Sequence, residues 1–472
     1  MSWFAIGLAL VLALQDPPPA PAQDPPVQTP VQTPVQTPPV QTPPVQTPPV
    51  QTPPAPVVEP PASAAAQENA PVRVPSFAAL PRDARGRVDE QAWLAALDAL
   101  AHAYPDRIER FSIGKTRAGR ELVVLALGEH AGAERDHRPA FFATLDPRSP
   151  FAAGAATAEL PPPASFVFLD SVAALCAQPS DAWTKFLKEN ALYLIALPEP
   201  DRALHGPADE LQAGPAVELA RDFPQGWDAR GGAASGQGPY PLSRAESRSI
   251  AEFLQRRSNI ACAILLAREG ERAAAPGAGD DASPAGANMR KLSERELASL
   301  PASLERFAAN ELLLPVLLLE VPLPGELSSS DPATLVARRA GALPHLVAGP
   351  LRIERLSNTT WLVDVPVRNA GFFSTAGEGQ RPLVRPRSLS LKVSGARWIS
   401  AAARSGERES FEELPLRAPP LFLDALAGGE ECTLRLVLEA EERSTLVLDF
   451  DSLRSGSLRL AQPLVSVVAS GK

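Results

Sequence analysis

Histidine, carboxylate and cysteine side chains are the groups that could hold a metal or move a proton, and this sequence is sparing with two of the three. Its 472 residues include five His and three Cys. His102, His137, His205 and His345 show no paired spacing, and a lone histidine is more often a surface or core residue than a ligand. His130 and Glu134 form a His-x-x-x-Glu string. That string precedes the apolar run 140–145 and reads as a solvated loop. Cys176, Cys262 and Cys432 are too scattered for a disulfide framework or a zinc ribbon. Cys262 sits in the apolar run Ile260-Ala-Cys-Ala-Ile-Leu-Leu266 and reads as core.

The bulk numbers bound what such groups could act on. A net charge of −9 and a pI near 5.3 argue against nucleic acid as a partner, because phosphate binding needs clustered Lys and Arg. Hydrophobic residues at 45% and charged residues at 21% describe globular protein, and the length suits two folded units plus a tail. The 53 prolines concentrate near the N-terminus. Residues 1–15 form a short apolar run that suits a signal peptide and is too short to span a membrane. No later segment offers some twenty uninterrupted apolar residues. Residues 16–71 repeat Val-Gln-Thr-Pro and then Val-Gln-Thr-Pro-Pro. Proline removes donors and fixes φ, so this tract reads as an extended linker of about 3.1 Å per residue.

The elements that must position any chemistry follow from Val72. Asp89 to Tyr104 reads as an amphipathic helix with Trp93, Leu97 and Leu100 inward and Asp89 as its cap. Arg107 to Leu127 alternates like a β-hairpin turning at Ala118-Gly119. Apolar runs at 140–145, 165–169, 192–197 and 260–266 alternate with helical or loop segments, which predicts an α/β sheet covered on both faces. Ser243-Arg-Ala-Glu246 reads as a capping box opening a helix that turns Ile250, Phe253 and Leu254 inward. Residues 273–288 read as a loop. After about Pro350, strands at 351–367, 389–393, 433–438 and 444–450 predict a small all-β sandwich. The expected parts are therefore residues 72–348, with a mixed central sheet flanked by helices, and residues 349–472.

Four stretches in the first part, in this order, resemble the carboxypeptidase A-like family of zinc carboxypeptidases. Residues 104–122, ending Gly119-Arg-Glu-Leu122, are similar to the family's opening hairpin and its Gly-Arg-x-Leu/Ile turn. Glu199-Pro-Asp-Arg202 stands where the family has Asn-Pro-Asp-Gly, and Glu218-Leu-Ala-Arg-Asp-Phe-Pro224 resembles Asp-Leu-Asn-Arg-Asn-Phe-Pro. Gly238-Pro-Tyr-Pro-Leu-Ser-Arg-Ala-Glu-Ser-Arg248 matches a helix start that reads Gly-Pro-x-Pro-x-Ser-x-x-Glu-Thr. The resemblance spans about residues 76–345. In the second part, Val365-Pro-Val-Arg-Asn-Ala-Gly-Phe-Phe-Ser-Thr375 is similar to the Val-x-Asn-x-Gly-x-x-Pro-Thr segment of sandwiches appended to some bacterial members, with Ser374 in place of proline. Its Phe372-Phe373 pair could mark a contact surface, although packing between the two parts explains it better.

In such enzymes zinc is held by a His-x-x-Glu motif after one strand and a His after a later one, leaving a position open for water. The resemblance places Asp146 at the His, Ser149 at the Glu, and Ala267 at the third ligand. Recruiting Glu269 would still give only two donors with Asp146, and Arg268 beside it repels a cation. No metal ligands are therefore assigned, and zinc is a cofactor only if this alignment is wrong. Arg221 matches the residue that grips the substrate's terminal carboxylate, with Ala220 in place of the neighbouring Asn; pairing with a nearby acid explains it equally well. Glu320 falls where the family keeps its general base, and without a metal-bound water that carboxylate has no evident task.

Three functional readings follow. The first is an exported, non-catalytic scaffold, periplasmic, cell-surface or secreted, that binds peptides or cell-envelope components. The second is an active zinc metallocarboxypeptidase cleaving C-terminal residues. The third is a structural envelope component carried on its proline stalk.

Overall fold

A computed structural model describes residues 74–472 apart from 130–136, 150–160, 206–217, 230–236, 270–288, 301–302, 323–330, 377–388, 407–409, 416–419, 453 and 466–472. The apolar start, the proline tract, the His130/Glu134 string and the 273–288 loop therefore lie outside the described residues. The described residues belong to one compact unit, Gln67–Lys472.

Its first part runs β1 (Val88–Asp89), α1 (Glu90–Ala103), β2 (Ile108–Lys115), β3 (Glu121–Leu127), β4 (Ala140–Leu145), α2 (Ala164–Ala177), α3 (Asp181–Glu189), β5 (Ala191–Ile195), α4 (Pro200–Ala203) and β6 (Leu204–His205). It continues with α5 (Ala245–Arg256), β7 (Ile260–Arg268), β8 (Met289–Lys291), α6 (Glu294–Ser299), α7 (Leu304–Asn310), β9 (Val316–Val321) and α8 (Pro332–Arg339). Seven strands form one sheet in the order β2-β3-β5-β4-β7-β9-β8. The four central strands β5, β4, β7 and β9 are parallel, and the outer pairings are antiparallel. Each sheet face has its own core. One gathers Phe141, Leu194, Leu266 and Leu319 with Trp93 and Phe166. The other gathers Phe142, Tyr193, Leu265 and Leu318 with Phe253 and Phe307. The apolar runs predict a sheet covered on both faces, and its mixed strand order is what the family resemblance implies.

Local chemistry explains most boundaries. The Asp89 carboxylate accepts from the Ala92 amide and starts α1. Gly119 turns the β2–β3 hairpin at φ +85°, a conformation a side chain would strain. Two expectations fail. The run at 165–169 is helix, not strand: α2 is apolar around most of its circumference, with Phe166, Phe168, Leu169 and Val172 all buried, so its composition carries no helical period. Ser243 and Glu246 form no capping box. The Ser243 hydroxyl donates to Asp222, Glu246 pairs with Arg244, and α5 begins without a side-chain cap. The capping box that does form joins Ser293 and Glu296 at α6.

The second part is antiparallel throughout: β10 (Leu346–Ala348), β11 (Arg352–Arg355), β12 (Thr360–Asn369), β13 (Leu389–Ser394), β14 (Arg397–Ser405), β15 (Glu412–Glu413), β16 (Leu421–Leu423), β17 (Glu431–Glu439), β18 (Thr445–Ser452) and β19 (Gly456–Pro463). One sheet runs β10-β12-β17-β14-β15 with β11 also on β12, and the other runs β16-β13-β18-β19. Alternate residues of both, including Trp361, Leu436, Leu448 and Phe450, share one core, as a sandwich requires. The stretch 351–367 is a hairpin, not one strand, because Leu356 and Ser357 amides bond back to Thr360.

Asn369 ties this sandwich to the chain entering it. Its amide donates to the carbonyls of Phe373, Leu426 and Ala427, and its Oδ1 accepts from the His345 and Gly371 amides. Arg454 is a second tie: its guanidinium donates to the carbonyls of Leu312, Leu313 and Ala376, and burial pushes its pKa down to about 10. The Phe372-Phe373 pair divides its labour. Phe373 is buried in the core of the α/β part, while Phe372 is 69% exposed.

Candidate functional site

Three of the positions that the resemblance points to, Asp146, Ala267 and Glu320, lie at the carboxyl ends of neighbouring strands of the seven-stranded sheet. β4 ends at Leu145, which pairs with Leu266 of β7, and Asp146 follows with its amide donating to the Leu266 carbonyl at 2.9 Å. Ala267 comes next on β7 and pairs with Glu320 of β9. Asp146, Ala267 and Glu320 thus end three neighbouring parallel strands. The chain leaves β4 toward β5 on one side and reaches β7 on the other, so this edge is a topological switch point, where open α/β sheets place their ligands.

The side chains there are committed to one another. Asp146 and Ser149 are buried, with the Ser149 amide bonded to the Asp146 carbonyl. Between them in sequence, Arg148 turns its guanidinium back onto Asp146, with Nε 3.3 Å from Oδ1. Its Nη2 lies 2.7 Å from Glu305 of α7. Glu305 sits in the first turn of its helix, where a carboxylate meets the positive end of the dipole. Burial nevertheless raises its pKa, with Arg148 opposing the rise and Asp146 adding to it. For Arg148 burial acts to lower the pKa, and the two carboxylates outweigh it, so the guanidinium is held charged.

Does this set fit a zinc ion? Asp146 is the only strong donor of the three aligned positions, and its carboxylate is already bound by Arg148. Ser149 offers a neutral hydroxyl, and Ala267 offers a methyl group. A catalytic zinc needs three N, O or S ligands and an open position. The residues present do not fit that group, and among the described residues no three His, Cys, Asp or Glu side chains are gathered to hold a metal ion.

Glu320 is half-buried. Burial raises its pKa; Arg290 acts against the rise and Glu269 with it. Arg221 lies on a short 3-10 turn, Leu219–Arg221, with its side chain 42% exposed and its Nε 3.0 Å from Glu218. The acid pairing that the sequence offers as one explanation of Arg221 is therefore present.

The other family-like stretches converge on a different task. Asp222, fully buried, accepts from the Ser243 and Ser247 hydroxyls and from the Arg244 amide. Arg244 in turn binds Glu199 and Glu246, both buried. Asp201 receives the Thr116 hydroxyl at 2.6 Å and the Ala118 amide at 3.2 Å, which docks the opening hairpin. Arg120 of the Gly-Arg turn bonds Glu90 at 3.0 Å. These retained motifs lock segments together. Sequence reasoning passed over Arg148 and Glu305. Arg148 lay in plain view between two aligned positions, and its type was the available signal.

The comparisons agree with this picture at the level of family. A family model described as zinc carboxypeptidase matches residues 93–145, from α1 through β4. No curated protein gives a significant match. Among solved structures, bovine thrombin-activatable fibrinolysis inhibitor aligns at 18% identity over 39% of this chain and 62% of its own, with a TM-score of 0.29. Carboxypeptidase A from Helicoverpa armigera aligns at 14% over 56% and 77%, TM-score 0.36. A metallo-carboxypeptidase from Burkholderia cenocepacia aligns at 15% over 53% and 66%, TM-score 0.33. The chain spans only 47% of another structure of the fibrinolysis inhibitor. Residues 93–145 are thus similar to zinc carboxypeptidases, and a β-rich part follows in the chain.

Proposed function

We propose that this carboxypeptidase-like protein does not hydrolyse peptides and acts outside the cytoplasm as a scaffold that binds peptides or cell-envelope components. The observation that carries the reading is the Arg148 bridge from Asp146 to Glu305, with Ala267 at the third ligand position. A fixed guanidinium supplies positive charge at this strand edge. Unlike zinc, it offers no open coordination position to lower the pKa of a water. The reading of export rests on the apolar start and the proline tract, which would hold the folded part away from a surface.

The test measures two quantities on the same peptides, with zinc supplied throughout: equilibrium binding and release of the C-terminal residue. Binding of peptides or wall fragments without turnover is the expected result. Turnover that a chelator abolishes would restore the enzyme reading, and absence of any binding would remove the scaffold reading.

A further inference from the structure

The sandwich contains a cavity whose lining residues all lie between Val367 and Leu434. Its volume is about 190 Å³, and Leu389 and Leu423 of one sheet face Ala403, Ser405 and Cys432 of the other across it. The hollow has a local cause. Core-facing positions of β12, β17 and β14 run in register as Val365, Leu434 and Ala403, then Val367, Cys432 and Ser405. Side chains shrink toward this end of the sheet, while Trp361, Leu438 and Phe450 fill the rest of the core. A single water needs about 10–15 Å³ of such space, so there is room for a short organic chain.

Among the described residues that line the cavity, the charged ones are Glu412, Asp424 and Glu430. Arg404 lies between the two lining residues Ala403 and Ser405 on β14, so strand alternation turns it to the other face. Glu430 is anchored by the Ala427 amide at 2.8 Å, which fixes a carboxylate at the rim. Asp424 and Glu430 line the same cavity as the Cys432 thiol, whose pKa burial raises while hydrogen bonds with Ser405 and the Arg404 backbone oppose the rise. A site with apolar walls and a few placed polar groups is the usual form of a small-ligand pocket.

We propose that this cavity binds a primary ammonium group carried on a short unbranched aliphatic stem, supplied by a free amine or by a lysine side chain. The stem fills the space between Leu389, Leu423 and Ala403, and the ammonium meets the carboxylates of Asp424 and Glu430. A carboxylate-headed ligand would be repelled at the same rim, and an uncharged one would gain only the walls.

The test uses the full chain and two probes, n-hexylamine and an acetylated, amidated Gly-Lys-Gly tripeptide, with n-hexanol and hexanoate as controls. Calorimetry should give hexylamine or the tripeptide at least about tenfold tighter binding than either control, a difference of about 1.4 kcal/mol. Preference for hexylamine assigns the site to free amines, and preference for the tripeptide assigns it to a polypeptide partner. Asp424→Asn with Glu430→Gln should erase the tenfold preference, and Ala403→Leu should abolish binding by filling the hollow. Should the Ala403 variant fail to fold, alkylation of Cys432 in the unmodified chain serves instead: a bound amine should slow it, read by mass spectrometry against Cys176 and Cys262. Neither amine binding, controls binding equally well, or a preference indifferent to the rim substitutions would each overturn the proposal.

Discussion

Ala267 on β7 and Glu320 on β9 are register partners in neighbouring parallel strands. The two positions that the sequence resemblance likens to a third metal ligand and a general base therefore stand side by side, with a methyl group at the first. On the other side of β7, Asp146 is held by Arg148. At this end of the sheet Asp146, Arg148 and Glu305 form an ion network.

That network makes Arg148 a stability determinant. Arg148→Met should lower stability by about 2–4 kcal/mol, because truncation leaves two buried carboxylates without their cation. The lower end allows for the third of the Arg148 side chain that solvent screens. The pH dependence has a definite sign. Glu305 has a raised pKa, so the folded state holds its proton more tightly than the unfolded chain, and stability falls as pH rises from the ordinary carboxylate range through the folded value. Without Arg148 that rise grows. Denaturant titrations should therefore show the variant's deficit shrinking as pH drops below the ordinary carboxylate range; a deficit independent of pH would contradict the bridge.

Asp222 and Arg221 are sequence neighbours with opposite expected consequences. Asp222→Ala should cost about 2–4 kcal/mol, since it strips acceptors from two hydroxyls and an amide in a buried cluster. Arg221→Ala should cost about 0–1 kcal/mol, as expected for a largely exposed ion pair. Equal losses would mean that the retained motif does something other than lock the fold. If Arg221 grips ligand carboxylates, its variant should instead weaken peptide binding with stability intact.

The aromatic pair gives a similar contrast. Phe373→Ala should cost about 3–5 kcal/mol through a cavity in the α/β core. Phe372→Ala should stay within about 0.5 kcal/mol, because its ring lies in solvent. Thermal unfolding of the two variants separates these outcomes, and a large loss at Phe372 would point to a contact surface instead.

How much of this was legible beforehand depended on distance along the chain. The strands 140–145 and 260–266 were readable because fully buried parallel strands are continuous apolar runs. Their alignment at one edge followed from family order. The bridge was not readable, because Arg148 and Glu305 are 157 positions apart and nothing local marks them as partners. α2 was missed because a helix buried on most sides carries no period, and β14 because its Ser, Ala and Arg residues alternate weakly. The Ser243 signature failed for a tertiary reason: buried Asp222 took the hydroxyl that a cap would have used.

The most direct test of the central claim is the zinc content of the purified chain after loading and desalting, measured together with hydrolysis of C-terminal peptide substrates. Zinc far below one equivalent and no chelator-sensitive release of a C-terminal residue are expected. Near-stoichiometric zinc with hydrolysis that a chelator abolishes would contradict it.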